Sequence, residues 1–449
     1  MKGLIGFFTL VLLVGCGGGG SMSNGSGGAA IAVCQQNNVN AKILCALQKN
    51  YLWYKDLPAN INPTAYSSPE AMLEAIKAPQ DRYSFITTEQ EYYDRYVNAT
   101  FFGYGFGNRP NEENNAYIVS YVYTDGSAAV NGLRRGDKII EIEGVSVAEW
   151  LQRLAAGTAT NDDIFGENKD GVMRQFVWQK PNGDIITADF IKGNVTTNTV
   201  LHREVRVRGD NRIGYLVFNS FIELSETELE QAFTFFKQQN VNEIVLDLRY
   251  NGGGLIRVAN QLASHIAMPS VLNQTFIKYQ YNDKNNNKNS TTLFSLGRGN
   301  TTLNLPRVVV LTTAGSCSSS ELVINSLAPF IDVVQIGDTT CGKPVGQQPE
   351  IISGYVLFAI NFQTVNALDQ GAYFDGLVPN CRVDDEVVGD WGVNDDPLLA
   401  EALYYLDNEQ CSAAGAAQAF TTFSAMPNQG LTPVNAPIVG LPAQFGNEH

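Results

Sequence analysis

The run Gly315-Ser316-Cys317-Ser318-Ser319-Ser320-Glu321 follows an apolar stretch at residues 308–311 and leads into an apolar-periodic helix. A serine at such a strand-to-helix turn stands exposed at the carboxyl edge of a sheet. The helix start also supplies free backbone N–H groups and a positive dipole able to stabilise an oxyanion. That is chemistry for nucleophilic attack on a carbonyl. The same residues also suit helix capping, because Ser318-x-x-Glu321 fits a capping box. A second strand-turn-helix segment, residues 243–266, carries Gly252-Gly253-Gly254 at its tip. Consecutive glycines let the backbone approach a ligand and turn N–H groups outward. A tight βα turn or a phosphate loop are the other readings, but the Gly-Lys-Ser/Thr ending of the latter is missing. Two such tips on adjacent strands would form one cleft.

Three blocks, LDLRYNGGG (246–254), GSCSSSE (315–321) and TTCGKPVGQ (339–347), stand in this order and at separations that resemble the signature of the carboxyl-terminal processing (tail-specific) serine proteases. The resemblance covers roughly residues 35–408. It implies that Ser318 is the nucleophile, that Lys343 is the general base, and that Gln347 orients the lysine amine. It also implies that the backbone N–H groups of Gly253 and Ser319 form the oxyanion hole. This sequence departs from the common pattern at Cys317, Ser319, Cys341 and Pro344, and none of these changes removes a reactive group.

Residues 125–147 resemble the second half of a PDZ domain, and Gly103-Tyr104-Gly105-Phe106 resembles the loop whose backbone N–H groups take a peptide's terminal carboxylate. PDZ recognition adds a strand to a sheet edge, so a peptide tail is the implied ligand. A PDZ fold kept for packing or gating is the plainer alternative. Asp81-Arg82-Tyr83-Ser84 and the segment around Tyr373 also resemble family segments.

A serine alcohol is a poor nucleophile until a base accepts its proton. The chain has three histidines, and none falls in a motif block: His202 precedes the core, His265 sits inside an apolar helix, and His449 is terminal. Lysine needs help, since at a reference pKa near 10.4 only about one amine in a few thousand is neutral at pH 7. Lowering that value by roughly three units takes about 4 kcal/mol of destabilisation of the ammonium, which desolvation can supply. Lys343 is therefore expected to be buried without a carboxylate partner.

These loops require elements that hold them. Within the 449 residues, alternation of apolar runs and amphipathic stretches from residue 212 onward predicts an α/β core with helices on a largely parallel sheet. Residues 101–192 show short alternating runs between Gly and Asn turns, as a β-rich module would, and residues 31–100 read as a small helical region around Ile43, Leu44, Leu47 and Tyr51. The expected organisation is thus an α/β multi-domain protein. It has a signal peptide (1–15), a Gly/Ser tether (16–30), the helical region, the PDZ-like module, a peptidase core (200–411), and a poorly ordered tail (412–449). The Asn/Lys-rich residues 282–290 read as a solvated excursion between strands.

Lys2, the apolar residues 4–14 and Leu13-Val14-Gly15-Cys16 resemble a bacterial lipoprotein signal, with Cys16 acylated and the chain exported to the cell envelope. An ordinary signal peptide is the competing reading. Gly17, where inner-membrane retention uses an acidic residue, points towards the outer membrane. The other six cysteines suit an oxidising compartment. Proximity pairs Cys34 with Cys45 and Cys381 with Cys411, leaving Cys317 for Cys341, among fifteen possible pairings. No CxxC or HxxxH spacing supports zinc, and the expected chemistry needs no metal or cofactor. A net charge of −15 without a basic cluster argues against nucleic acid as a partner. Polypeptide substrates, bound through their C-terminal tails, are the implied partners; oligomeric state is open. A catalytically idle tethering protein and a crotonase-like acyl-CoA enzyme remain the alternatives, though the latter leaves the Ser-Lys spacing unexplained.

Overall fold

The computed structural model describes residues 34, 36–93, 100–111, 115–167 and 169–415. Cys16, the tether and the tail beyond residue 415 lie outside the described residues.

The N-terminal region begins with helix α1 (Val39–Asn50), whose N-cap Asn38 accepts the Ala41 N–H. It continues to α2 (Pro69–Ile76), started by Ser68 as cap and proline in the first turn. Their apolar faces meet through Leu44, Leu47, Met72, Leu73 and Ile76. The same cluster takes in Cys317, Val345 and Ile360 from the catalytic core, so the region is packed onto the loops of interest. Strand β1 (Phe85–Thr88) reinforces this by pairing antiparallel with residues Tyr355–Phe358.

The second unit is an antiparallel sheet running in chain order: β2 (Phe106–Asn111), β3 (Ala116–Val122), β4 (Lys138–Ile142), β5 (Met173–Gln179) and β6 (Ile185–Ile191). Tyr104, Phe106, Phe176, Trp178 and Phe190 fill its core, joined by Val147 and Trp150 of the amphipathic helix α3 (Val147–Ala155). The chain enters and leaves this unit as paired strands, Thr100–Gly103 against Gly193–Thr196.

Among the described residues, the core sheet has the order β7 (Val200–Arg208), β8 (Asn211–Phe218), β9 (Glu243–Asp247), β12 (Arg307–Thr312), β13 (Asp332–Gly337) and β16 (Cys381–Arg382). From β8 onward neighbours are parallel, as the alternation predicts. Alternate side chains on these strands serve two layers. Leu216, Leu246, Val308 and Val310 face helices α4 (Ser225–Gln238), α5 (Ile256–Ala267) and α6 (Ser319–Leu327). Tyr215, Val245, Val309 and Leu311 face α7 (Pro397–Asn408). A second sheet, with β10 (Thr275–Tyr281) and β11 (Ser290–Leu293) beside β15 (Ile360–Val365) and β14 (Val345–Gln347), closes over the first helix layer.

Residues 282–290 link two strands and are mostly exposed, as their composition suggests, but two of them turn inward. Asn282 and Asn285 are each only 6% exposed. The Asn282 side chain donates to Lys49 O and Tyr51 O at 3.2 and 2.9 Å, and Asn285 donates to Lys49 O at 2.8 Å. A helix end leaves carbonyls without intrahelical donors, and this turn supplies donors to the end of α1.

Candidate active site

Ser318 sits between β12 and α6 with φ 56° and ψ −112°, a strained conformation for a residue with a Cβ. The surrounding serines are braces. Ser316 donates its hydroxyl to Leu248 O, Ser319 to Gly254 O and Ser320 to Asn251 O, at 2.7–2.8 Å. All three acceptors lie on the loop after β9, so they lock the serine turn to the glycine tip. Gly253, at φ 103°, is the point of contact: a Cβ there would come 2.8 Å from both Cys317 O and Ser318 Cβ.

The two expected oxyanion donors differ in state. Ser319 opens α6, where a backbone N–H has no intrahelical acceptor. The Gly253 N–H instead donates to Asn251 Oδ1 at 2.9 Å.

Lys343 is 1% exposed, and its Nζ donates to Gln347 Oε1 at 2.8 Å. The orientation of Gln347 is set from behind, because its Nε2 donates to Tyr83 O and Phe358 O, leaving only the oxygen to face the amine. Burial holds the Lys343 amine well below the ordinary lysine range, against the opposing pull of Glu321 and Asp81. Glu321 does more than the half of a capping box that its spacing suggests. Its buried carboxylate accepts backbone N–H groups from Ser318, Gly342 and Lys343 and the Thr340 hydroxyl. Burial pushes this carboxyl up, while those hydrogen bonds pull it down.

The cysteines pair as proximity suggests: Cys34–Cys45, Cys317–Cys341 and Cys381–Cys411. The second bridge joins the residue before Ser318 to the residue two before Lys343. In the two places among the described residues where cysteines approach a carboxylate, Glu321 and Glu401, both sulfurs are disulfide-bonded and offer no thiolate to a metal.

The described histidines are engaged elsewhere. His202 lies 3.5 Å from Glu204, and His265 stacks on Phe233 and bonds Thr301 O. His449 lies outside the described residues.

Of the segment 103–106, Tyr104 and Phe106 bury their rings in the module's core, and the Tyr104 hydroxyl donates to Phe165 O. Only main chain is therefore available there for a ligand. Gly105, at φ 91°, allows the approach of Gly126, whose Cα would lie 2.5 Å from any Cβ.

Sequence reasoning did not single out Arg249, a buried hub for Asp247, Asp385 and Asp396 at the end of β9. Arg109 and Arg135 of the β-rich unit reach the same carboxylates, Asp385 and Asp396. Its position inside LDLR is the signal that could have found it, since a buried arginine requires partners.

A parallel α/β core whose strand ends carry a strained serine turn against a glycine tip sets a hydroxyl beside backbone N–H groups on strand-turn-helix loops. Comparison with known proteins narrows the class. Residues 212–383 match the model of peptidase family S41, and residues 38–85 match the S41 N-terminal domain. The chain is 25% identical over 283 residues to the carboxy-terminal processing protease CtpB of Bacillus subtilis (strain 168), covering 62% of this chain and 54% of that one. It is 24% identical over 315 residues to carboxyl-terminal-processing peptidase 3, chloroplastic, of Arabidopsis thaliana, covering 67% and 57%. It thus spans about half the length of the curated relatives it matches. A crystal structure of an S41 protease candidate from Bacteroides fragilis NCTC 9343 superposes with a TM-score of 0.67 at 25% identity, covering 82% of this chain and 97% of that one. The core of this chain is thus similar in sequence and fold to the domain that peptidase family S41 describes. Among the described residues no helix is long and apolar enough to cross a membrane.

Proposed function

We propose that this protein is a serine endopeptidase of the carboxyl-terminal processing type, working through a Ser318-Lys343 dyad. The observation that carries the reading is the buried Lys343 amine, bonded to the neutral Gln347 oxygen, on a loop fastened to that of Ser318. Held neutral by desolvation, Lys343 takes the Ser318 proton as Oγ attacks the scissile carbonyl, then returns it to the leaving amine. A water, activated by the same lysine, hydrolyses the acyl-enzyme. Ser319 N–H and Gly253 N–H would hold the oxyanion. The second donor becomes available once its peptide turns away from Asn251 Oδ1.

The unit spanning residues 100–196 acts in this proposal as a PDZ-like binder of polypeptide C-terminal tails. Among the described residues β2 ends the sheet order, which supports that role, since strand addition uses a sheet edge. The Cys16 lipid anchor and outer-membrane address belong to the same proposal, as do polypeptides of the cell envelope as substrates.

The test is cleavage of an unfolded protein with an apolar C-terminus, comparing wild type with Ser318→Ala and Lys343→Ala. Loss of cleavage in both variants, with circular dichroism unchanged, is the expected result. Cleavage by Ser318→Ala would remove Ser318 as nucleophile, and none by wild type with added tail peptides would favour an idle tethering protein.

A further inference from the structure

The N-terminal region supplies no group to the chemistry above, yet one of its residues touches every part of the lysine assembly. The Tyr83 ring centroid lies 5.3 Å from Lys343 Nζ. Its hydroxyl lies 3.1 Å from both Cys341 O and Gly342 O, the carbonyls just before Lys343. Its own carbonyl accepts Gln347 Nε2 at 2.7 Å. Tyr83 is in turn held firmly: Asp81 Oδ1 accepts the N–H groups of Tyr83 and Ser84, and Asp81 Oδ2 accepts the Tyr51 hydroxyl. Beside it, Arg82 donates to Phe374 O at 2.9 Å and reaches the carbonyls of Cys341 and Gly342.

We propose that Tyr83 is a positioning residue for the general base: its ring keeps water from the Lys343 amine, its hydroxyl pins the lysine loop, and its carbonyl orients Gln347. The inference rests on the reading of Lys343 as the base. The charged groups acting on that amine are Glu321, from α6, and Asp81, from the same segment as Tyr83. Burial pushes the Tyr83 phenol up to about 12, so it stays neutral across the working range.

The three contacts can be separated. Tyr83→Phe removes only the hydroxyl, and should lower kcat about tenfold without moving the acid limb of the kcat/KM profile. Tyr83→Ala also removes the ring and lets water reach Nζ, which should raise the Lys343 titration midpoint by about one pH unit or more. The sign matters: if the ring acted mainly by attracting the ammonium, its removal would lower the midpoint.

The midpoint is read by NMR titration of the full chain labelled with 13Cε-lysine, with Lys343 assigned by its missing signal in Lys343→Arg. Should Tyr83→Ala fail to fold, Tyr83→Val is read in the same way. A wild-type midpoint in the ordinary lysine range sinks the dyad itself. A low wild-type midpoint that stays put or falls in Tyr83→Ala, or a wild-type kcat in Tyr83→Phe, overturns only the role of Tyr83.

Discussion

Ser318 and Lys343 are joined through a single atom: Glu321 Oε2 accepts the backbone N–H of Ser318 at 2.9 Å and that of Lys343 at 2.8 Å. The two residues are 25 positions apart in the chain, and this bridge sets the distance between their loops whatever the side chains do.

Replacing that acceptor should separate them. Glu321→Gln keeps the shape but offers one oxygen and an NH2 group where N–H groups already converge from both loops. Leaving buried donors opposed costs about 1–3 kcal/mol, more when the lost acceptor is charged. The urea midpoint should fall accordingly, and peptidase activity should drop by at least about 10²-fold because the dyad is misplaced. A variant with wild-type activity would mean that the bridge is incidental.

Gly253→Ala tests the contact between the glycine tip and the serine turn. The new Cβ meets Cys317 O and Ser318 Cβ at 2.8 Å, and φ 103° is a region that side chains rarely adopt. Both loops must move, so stability should fall by about 2–4 kcal/mol. Losing one oxyanion donor costs about 10²–10³ in kcat, so activity should fall by at least that much. Thermal melts and single-turnover rates separate the two effects.

The Cys317–Cys341 bridge closes a loop 24 residues long in sequence separation. Such a crosslink is worth about 3 kcal/mol in the chain-entropy account. The double variant Cys317→Ala/Cys341→Ala should therefore melt lower than wild type. Dithiol treatment should lower wild-type activity more than that of the double variant, whose remaining bridges, Cys34–Cys45 and Cys381–Cys411, lie outside the dyad loops. Equal loss in both proteins would assign the sensitivity to those other bridges.

The parallel core was legible because its strands are buried on both faces and read as unbroken apolar runs, ending at 248 and 312 in glycine and serine turns. The Ser318-Lys343 pairing came instead from the resemblance of three sequence blocks to a known family, and both residues lie on loops that leave this sheet. What the chain text hides are contacts between distant segments. Asn282 reads as a turn residue, yet it serves carbonyls more than 230 positions away, and no local period records that partnership. Tyr83 and Gln347 are 264 positions apart and meet only because β1 pairs with residues Tyr355–Phe358. The bracing by Ser316, Ser319 and Ser320 was hidden differently. Four serines within five residues look alike until three of their hydroxyls are traced to carbonyls on the glycine loop.

His265 makes a prediction about stability and pH that is independent of catalysis. It is fully buried on α5, stacked 4.7 Å from the Phe233 ring, with Nδ1 2.6 Å from Thr301 O. Gln261 Nε2, which also donates to Glu226 O, faces His265 Nε2 at 3.1 Å, so that nitrogen is an acceptor in the neutral ring. Protonation would set two donors against each other. Burial lowers the His265 pKa, with the Thr301 bond and the Glu230 carboxylate pulling the other way. The unfolded chain, with an ordinary value near 6.5, therefore binds the proton first as pH falls. The stability this neutral ring contributes is present above about pH 6.5 and is lost as pH drops through the lower folded value. Thermal melts between pH 7.5 and 5 should show wild type losing stability more steeply than His265→Gln, which starts lower because it forgoes the stacked ring. Parallel slopes for the two proteins would show that His265 does not titrate between the folded and unfolded states.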